Sequence, residues 1–379
     1  MLGSADNGVP VLATPEARRR SLVLPLIIAA LVAALAVLLA ASGRSEALVG
    51  SGSTLAQPLI ERSAGAFRNA ATADNPSRPG ETGSDWVLDG SGLEYEPVGS
   101  LGGIMRLSDG GAHFAVSDYP LTKEALEERK LAQFPVAVGA VAVVHTLDLP
   151  DDATLKLDAE TLGKIYTGSV KTWNDPAIAA LNTGVTLPDQ AITPVHRSDG
   201  SGSTFGFTGY LSSGSDEWKN GPGTGSVVTW PTGTGAERSS RMLSTVQGTP
   251  GAIGYLDAGQ AERAGLKIAA LGNSAGSHVD PSPHAMSAAV EGADWSGKDD
   301  YVTPLTTGTA SDAYPATVAV YGLVPREGFE KDTRRALQFL RYVIDESDAA
   351  ARELGYLPLP PAAADAVRAY WAQALPDSV

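Results

Sequence analysis

The chain contains no cysteine. Disulfides, zinc–thiolate sites, iron–sulfur clusters and cysteine nucleophiles are therefore excluded, and so is a lipid carried on an N-terminal cysteine. Long basic stretches are missing too. No run of Lys or Arg exceeds Arg18–Arg20, and the formal net charge is −15. A duplex nucleic-acid surface needs a basic face, so nucleic acid is not an expected partner. Net charge speaks to solubility and not to the sign of one pocket, so an acidic protein can still bind an anion. His113, His145, His196, His278 and His284 show no metal-ligand spacing such as His-Glu-x-x-His, and no metal or other cofactor is expected. A Walker loop is absent. A dinucleotide fingerprint fails, because SDGSGSTFGF (198–207) has Phe205 where the third glycine belongs. No internal repeat of 20–50 residues is present.

What is present begins with an apolar segment. Arg18, Arg19 and Arg20 precede an uncharged stretch from Leu22 to Ala41. That length matches the hydrocarbon thickness of a bilayer and exceeds the apolar core of about 7–15 residues in a signal peptide. The expectation is a cytoplasmic tail over 1–21 and a transmembrane signal-anchor over 22–42, with a cleaved signal peptide as the alternative. The arginines keep the tail inside, which places the remainder outside the cytoplasm.

The exported part is long enough for about two domains. Short apolar alternations predict strands in AHFAVSD (112–118), FPVAVGAVAVVHTL (134–147), AITPVHR (191–197), GAIGYLD (251–257) and ATVAVYGLV (316–324). Three- and four-residue spacing predicts helices in LIERSAGAFRNA (59–70), TFGFTGYLSS (204–213), TRRALQFLRYVIDES (333–347) and AADAVRAYWAQAL (363–375). Interleaved strands and helices argue an α/β protein. The polar segment 69–85 reads as a surface loop.

Three Gly/Ser clusters open directly into helical patterns: GSGSTLAQPL (50–59), VGSLGGIMRL (98–107) and SDGSGSTFGF (198–207). One such cluster is an ordinary helix cap. Three together suggest backbone amides gathered around an anion, since the first helical N–H groups are unpaired and carry positive partial charge. In HRSDGSGST (196–204), Arg197 lies two residues before Asp199 at a strand end. The pair reads either as a surface ion pair or, beside the DGSGS turn, as a guanidinium aimed at an oxyanion. His196 reads as a strand residue facing the other way. Asp118 ends a strand before Tyr119-Pro120, and taken alone it reads as an Asp starting a turn.

An enzyme alternative also exists. GNSAG (272–276) matches the Gly-x-Ser-x-Gly elbow, with Asp280 and His284 following in hydrolase order, so Ser274 is a candidate nucleophile. Pro281 and Pro283 come too soon for the helix that an elbow needs, and the three partners are too close in sequence.

Together these residues resemble the phosphate-specific substrate-binding proteins of the bacterial ABC phosphate importer. The similarity runs from about Val49 to Gln373. It includes GSGSTLAQPL, VGSLGG, AVSDYPLT (115–122), KIYTGSVKTWNDPAIAALN (164–182), HRSDGSGSTFGFTGYLS (196–212), TWPTGTGA (229–236), GTPGAIGYLDAG (248–259), GADWS (292–296) and GYLPLP (355–360). The resemblance implies a two-lobed periplasmic-binding-protein fold of type II with the ligand cleft between lobes. Lobe 1 would be 47–140 plus 313–379 and lobe 2 would be 141–312, with crossings near Ala137–Val143 and Thr307–Thr317. It implies phosphate ligands at Thr54, Leu55, Ser100, Asp118, Arg197, Asp199, Ser201, Gly202 and Ser203. Leu55 stands where the family usually has Phe, and Ser203 where it has Thr. Implied partners are inorganic phosphate and the permease subunits with their cytoplasmic ATPase. A monomer is expected, and the 22–42 helix would replace the family's lipid anchor. A second reading keeps the fold and drops transport, leaving a tethered sensor of phosphate or another oxyanion.

Overall fold

The computed structural model describes residues 47–74, 92–150, 153–297, 301 and 310–376. The tail 1–21 and the apolar segment 22–42 lie outside them. Among the described residues no helix is long and apolar enough to cross a membrane.

The strands are β1 (Leu48–Gly52), β2 (Leu93–Glu96), β3 (Phe114–Ser117), β4 (Leu131–His145), β5 (Lys156–Leu157), β6 (Thr193–Arg197), β7 (Thr234–Ala236), β8 (Ala252–Asp257), β9 (Lys267–Ile268), β10 (Ala270–Gly272), β11 (His278–Val279) and β12 (Thr317–Pro325). The main sheet runs in the order β2-β1-β3-β12-β4-β8-β6-β7, with β9 also on β4, and β11-β10-β5 form a second sheet. The five strands expected from alternation are β3, β4, β6, β8 and β12. The four helical patterns are the helices Gln57–Asp74, Gly202–Gly214, Glu330–Glu346 and Pro361–Ala374.

Strand β4 carries the architecture. All 15 of its residues are buried, which suits a run of Val and Ala without charge that is covered on both faces. Its first part, Leu131–Ala140, pairs antiparallel with β12, and Val141–His145 pairs antiparallel with β8. The partner changes between Ala140 and Val141. The chain returns beside this point, where Ala316 C=O accepts the Val141 N–H at 2.9 Å and Tyr314 Oη donates to Val141 C=O at 2.9 Å.

The β1–β3 side is covered by the helix Glu330–Glu346, which buries Ala336, Leu337, Phe339, Leu340, Val343 and Ile344 along one face. Phe339 meets Phe67 and Phe114 with ring centroids 5.6 and 5.5 Å apart. Each large side chain on that stripe contributes about 1.5–3 kcal/mol, more than an exposed ion pair on the helix's outer face. The stripe therefore fixes the seating of the helix.

Two local expectations are corrected. The cluster 50–53 is not wholly a loop, because Gly50, Ser51 and Gly52 belong to β1. The glycines serve close strand packing: a Cβ on Gly52, at φ +132°, would lie 2.0 Å from the Val116 carbonyl oxygen. The polar segment 69–85 is helical as far as Asp74, and its remainder lies outside the described residues.

Candidate functional site

β1, β2 and β3 run parallel, as do β6 and β8. Ligands of open α/β sheets collect beyond the carboxyl ends of such strands, where helix N-termini begin. Every binding residue expected from the sequence lies at one of these ends. Thr54 and Leu55 follow β1, Ser100 follows β2 and Asp118 follows β3. Arg197 closes β6, with Asp199, Ser201, Gly202 and Ser203 after it. Ser100 opens the helix Ser100–Ser108, and Gly202 and Ser203 open the helix Gly202–Gly214. Ser201 caps the second of these, its Oγ accepting the Thr204 N–H at 3.2 Å.

The loops then meet. The Leu101 N–H donates to the Gly200 carbonyl at 3.2 Å, joining the β2 and β6 ends. Asp118, 2% exposed, gathers hydroxyls from both. Ser100 Oγ donates to its Oδ1 at 2.5 Å and Ser203 Oγ to its Oδ2 at 3.2 Å. A glycine at 202 is what admits this carboxylate, since a Cβ there would lie 2.3 Å from Asp118 Cγ. Asp118 is thus no turn-starting Asp.

Arg197 and Asp199 form a two-pronged pair, Nε to Oδ1 at 2.7 Å and Nη2 to Oδ2. The Arg197 side chain is 2% exposed, which removes the surface-pair reading. Burial by itself would raise the Asp199 carboxyl. Arg197 and the Arg238 N–H, donating at 3.1 Å, together hold it below the usual carboxylate range. Behind the pair, Tyr255 Oη accepts the Arg197 N–H at 3.0 Å and shares a 2.8 Å hydrogen bond with Thr204 Oγ1. Burial pushes the Tyr255 phenol up to about 12, so it stays neutral, and its ring stacks on Phe207 at 4.4 Å. His196 does face away, half-buried and stacked on Trp230 at 4.7 Å.

The β1 loop is held by its carbonyls. Gln260 Nε2 donates to Thr54 C=O at 2.9 Å, and Tyr356 Oη donates to Leu55 C=O at 2.5 Å. A planar trans peptide sets the Leu55 N–H opposite the Thr54 C=O, so pinning that oxygen to Gln260 turns the N–H the other way. The Leu55 side chain is buried in the core.

Sequence reasoning assigned no chemistry to Tyr255, Gln260, Tyr356 or Ser239. Tyr255 and Tyr356 lie inside motifs already noted, GAIGYLDAG and GYLPLP, but nothing local to either says which carbonyl or amide it serves. Ser239 and Gln260 carry no sequence signal.

Chemically, the cluster holds one guanidinium against two carboxylates, surrounded by hydroxyl and N–H donors. Such an arrangement offers an anion dipoles and no excess of positive charge. Among the described residues no three His, Asp or Glu side chains group as a metal site.

Ser274 does not sit on a nucleophile elbow. β10 ends at Gly272 and runs through a turn into β11, and the next helix starts only at Pro283. His284 Nε2 is engaged with Asp312 Oδ2 at 2.9 Å. Ser274, Asp280 and His284 are all exposed, whereas a triad needs its acid buried behind the histidine.

Comparison with known proteins bears on the family and the fold. The family model described as the PBP superfamily domain matches residues 40–347. The chain is 36% identical over 330 residues to the phosphate-binding protein PstS of Xylella fastidiosa, covering 87% of this chain and 86% of that one. It is 37% identical over 283 residues to PstS of Pasteurella multocida, covering 74% and 82%. Among solved structures, it shares its fold with the periplasmic phosphate-binding protein PfluDING (TM-score 0.62, 18% identity, 85% of this chain and 93% of that one). The phosphate-binding protein of Stenotrophomonas maltophilia is similar at TM-score 0.60 and 17% identity, again covering 85% and 93%.

Proposed function

The chain belongs to the PBP superfamily and, within it, to the PstS phosphate-binding proteins, and from this we propose that it binds inorganic phosphate outside the cytoplasm and hands it to an ABC importer. It is a substrate-binding protein and not an enzyme. The observation that carries the reading is Asp118, a buried carboxylate that takes hydroxyls from two helix starts beside the Arg197–Asp199 pair.

The ligand set we assign is Thr54, Leu55, Ser100, Asp118, Arg197, Asp199, Ser201, Gly202 and Ser203. Arg197 spends Nε and one Nη2 hydrogen on Asp199, so Nη1 remains for an oxyanion. Asp199 holds the fork flat and cancels its charge. The Leu55 amide and the first amides of the Gly202–Gly214 helix supply fixed dipoles. Asp118 supplies an acceptor for the proton that phosphate retains at neutral pH and sulfate lacks.

Lobes of 47–140 plus 313–379 and of 141–312 are consistent with the partner change of β4 between Ala140 and Val141. Thr54, Ser100 and Asp118 already meet the Gly200–Ser203 loop and Ser239 in this structure, so opening of a hinge there would part them to admit or release the ligand. We further propose a monomer held at the cytoplasmic membrane by residues 22–42, with the permease and its ATPase as partners. Retention in the membrane fraction through a salt wash, with release only by detergent, tests the anchor. Recovery of a soluble chain starting after Ala41 would show a cleaved signal instead.

Isothermal titration with phosphate, sulfate and arsenate separately tests the binding function. Tight phosphate binding with weak sulfate binding is expected, and absence of phosphate binding would overturn the proposal. A sensor that does not transport would bind phosphate equally. Loss of phosphate uptake on deletion of the gene separates the two.

A further inference from the structure

Thr54 makes a hydrogen bond that the phosphate reading leaves unexplained. Its Oγ1 lies 2.8 Å from Ser239 Oγ, 185 residues away in the chain. Both residues are buried, Thr54 at 3% exposure and Ser239 at 5%. Ser239 lies in the first turn of the helix Arg238–Gln247, which follows β7. The residue before it, Arg238, is held at φ 64°, a left-handed conformation that a side chain of its size rarely adopts. That turn directs the Arg238 N–H to Asp199 Oδ1 and, one residue later, the Ser239 hydroxyl to Thr54. The 238–239 step therefore touches the Arg197–Asp199 pair and the β1 loop at once. Strain of this kind persists only where the surroundings fix it, and it gathers at functional sites.

We propose that Ser239 is a positioning residue for phosphate: it donates its hydrogen to Thr54 Oγ1, committing the Thr54 hydrogen to the anion and tying the β1 loop across to the Arg238–Gln247 helix. The proposal rests on Thr54 being a phosphate ligand. A hydroxyl carries one hydrogen. Unprotonated phosphate oxygens only accept, so Thr54 can serve one only if its bond with Ser239 runs from Ser239 to Thr54. Among the described residues no other side chain is bonded to Thr54 Oγ1. Gln260 already holds the Thr54 carbonyl, so loss of Ser239 frees the hydroxyl while the backbone stays in place.

The test compares the full chain with Ser239→Ala, Ser239→Thr and Thr54→Val. Phosphate Kd and dissociation rate are measured by titration and stopped flow, and apo Tm by calorimetry. Ser239→Ala should weaken phosphate about fivefold to tenfold, through faster dissociation, with little change in apo Tm. Ser239→Thr, which keeps the hydroxyl, should recover most of the loss. Once Thr54→Val has been made, adding Ser239→Ala should cost nothing further in affinity. Wild-type Kd and dissociation rate in Ser239→Ala would overturn the proposal. So would equal losses in the Ala and Thr variants together with a lowered apo Tm, which would mark a packing role. An unchanged Kd in Thr54→Val would instead remove Thr54 from the site and the proposal with it. Failure of wild type to bind phosphate would overturn the underlying reading as well.

Discussion

Ser100 Oγ donates to Asp118 Oδ1 at 2.5 Å, from the first residue of a helix to the first residue after a strand. The second oxygen of Asp118 receives Ser203 from another helix start. One buried carboxylate thus takes the donors of two loops, and on the proposed ligand set it is expected to govern which anion the cleft accepts. Phosphate brings a P–OH that the carboxylate can accept. Sulfate brings only lone pairs, and opposing lone pairs in a low-dielectric cleft cost several kcal/mol, on the order of a thousandfold in affinity. Asp118→Asn replaces an acceptor by an N–H donor. The phosphate-over-sulfate ratio should narrow sharply, whatever happens to phosphate affinity itself. Titration of both anions against both proteins measures it, and a mutant that keeps the full ratio would show that selectivity lies elsewhere.

Arg197→Lys tests the fork. Nε and Nη2 both bind Asp199, and Lys retains the charge but cannot hold two parallel bonds and still face a ligand. Phosphate Kd should rise about tenfold to a hundredfold. An unchanged Kd would remove Arg197 from the site.

Gly202→Ala tests the close approach. A methyl group would lie 2.3 Å from both Cγ and Oδ1 of Asp118 and 2.6 Å from its backbone carbonyl carbon, so backbone as well as side chain would have to shift. Overpacking of this kind costs about 1–3 kcal/mol. Phosphate affinity should fall by tenfold or more, and Tm should fall with it. Wild-type binding by this variant would show that the Gly202–Asp118 contact does not set the affinity.

Asp257 predicts a pH dependence of stability. It is fully buried at the end of β8. Its Oδ1 accepts the Gln260 N–H at 2.8 Å, while Oδ2 has no hydrogen-bond partner among the described residues. Burial raises the carboxyl to about 8, against the pull of the Gln260 N–H and Arg263, and the Asp118 charge adds to the rise. Unfolded, it titrates near ~4. Below that pH both states are protonated and the contribution to stability is complete. Between the two values unfolding releases a proton, so stability falls as pH rises, and the loss is complete above the folded value. Asp257→Asn stays neutral throughout. Its Tm should match wild type near pH 4 and exceed it by several degrees near pH 8.5. A pH-independent difference would show that Asp257 does not carry this proton.

The strands and helices that were legible in the sequence are those long enough to show a period. β4 and β12 read directly, and so did the helix Glu330–Glu346, because their apolar spacing repeats over several turns or pleats. β5, β9 and β11 have two residues each, too few for any period, and exist only because a neighbouring strand pairs with them. The Gly/Ser clusters likewise marked where helix N-termini would be free, since backbone geometry makes glycine and hydroxyl residues locally distinctive. By itself the sequence therefore determined an α/β chain with several anion-ready helix starts and an Arg-x-Asp pair.

It could not determine that these features converge. Asp118 read alone as an Asp starting a turn, and its surroundings come from Ser100, 18 residues away, and Ser203, 85 residues away. Thr54 and Leu55 are held by Ser239, Gln260 and Tyr356, which lie 185, 206 and 301 residues along the chain. A hydroxyl or carboxylate has the same local signature whether it meets solvent or a partner, because the difference is made by desolvation and by the direction of one hydrogen. Only the sheet order, which sets the carboxyl ends of β1, β2, β3 and β6 around one space, decided which donors face which acceptors.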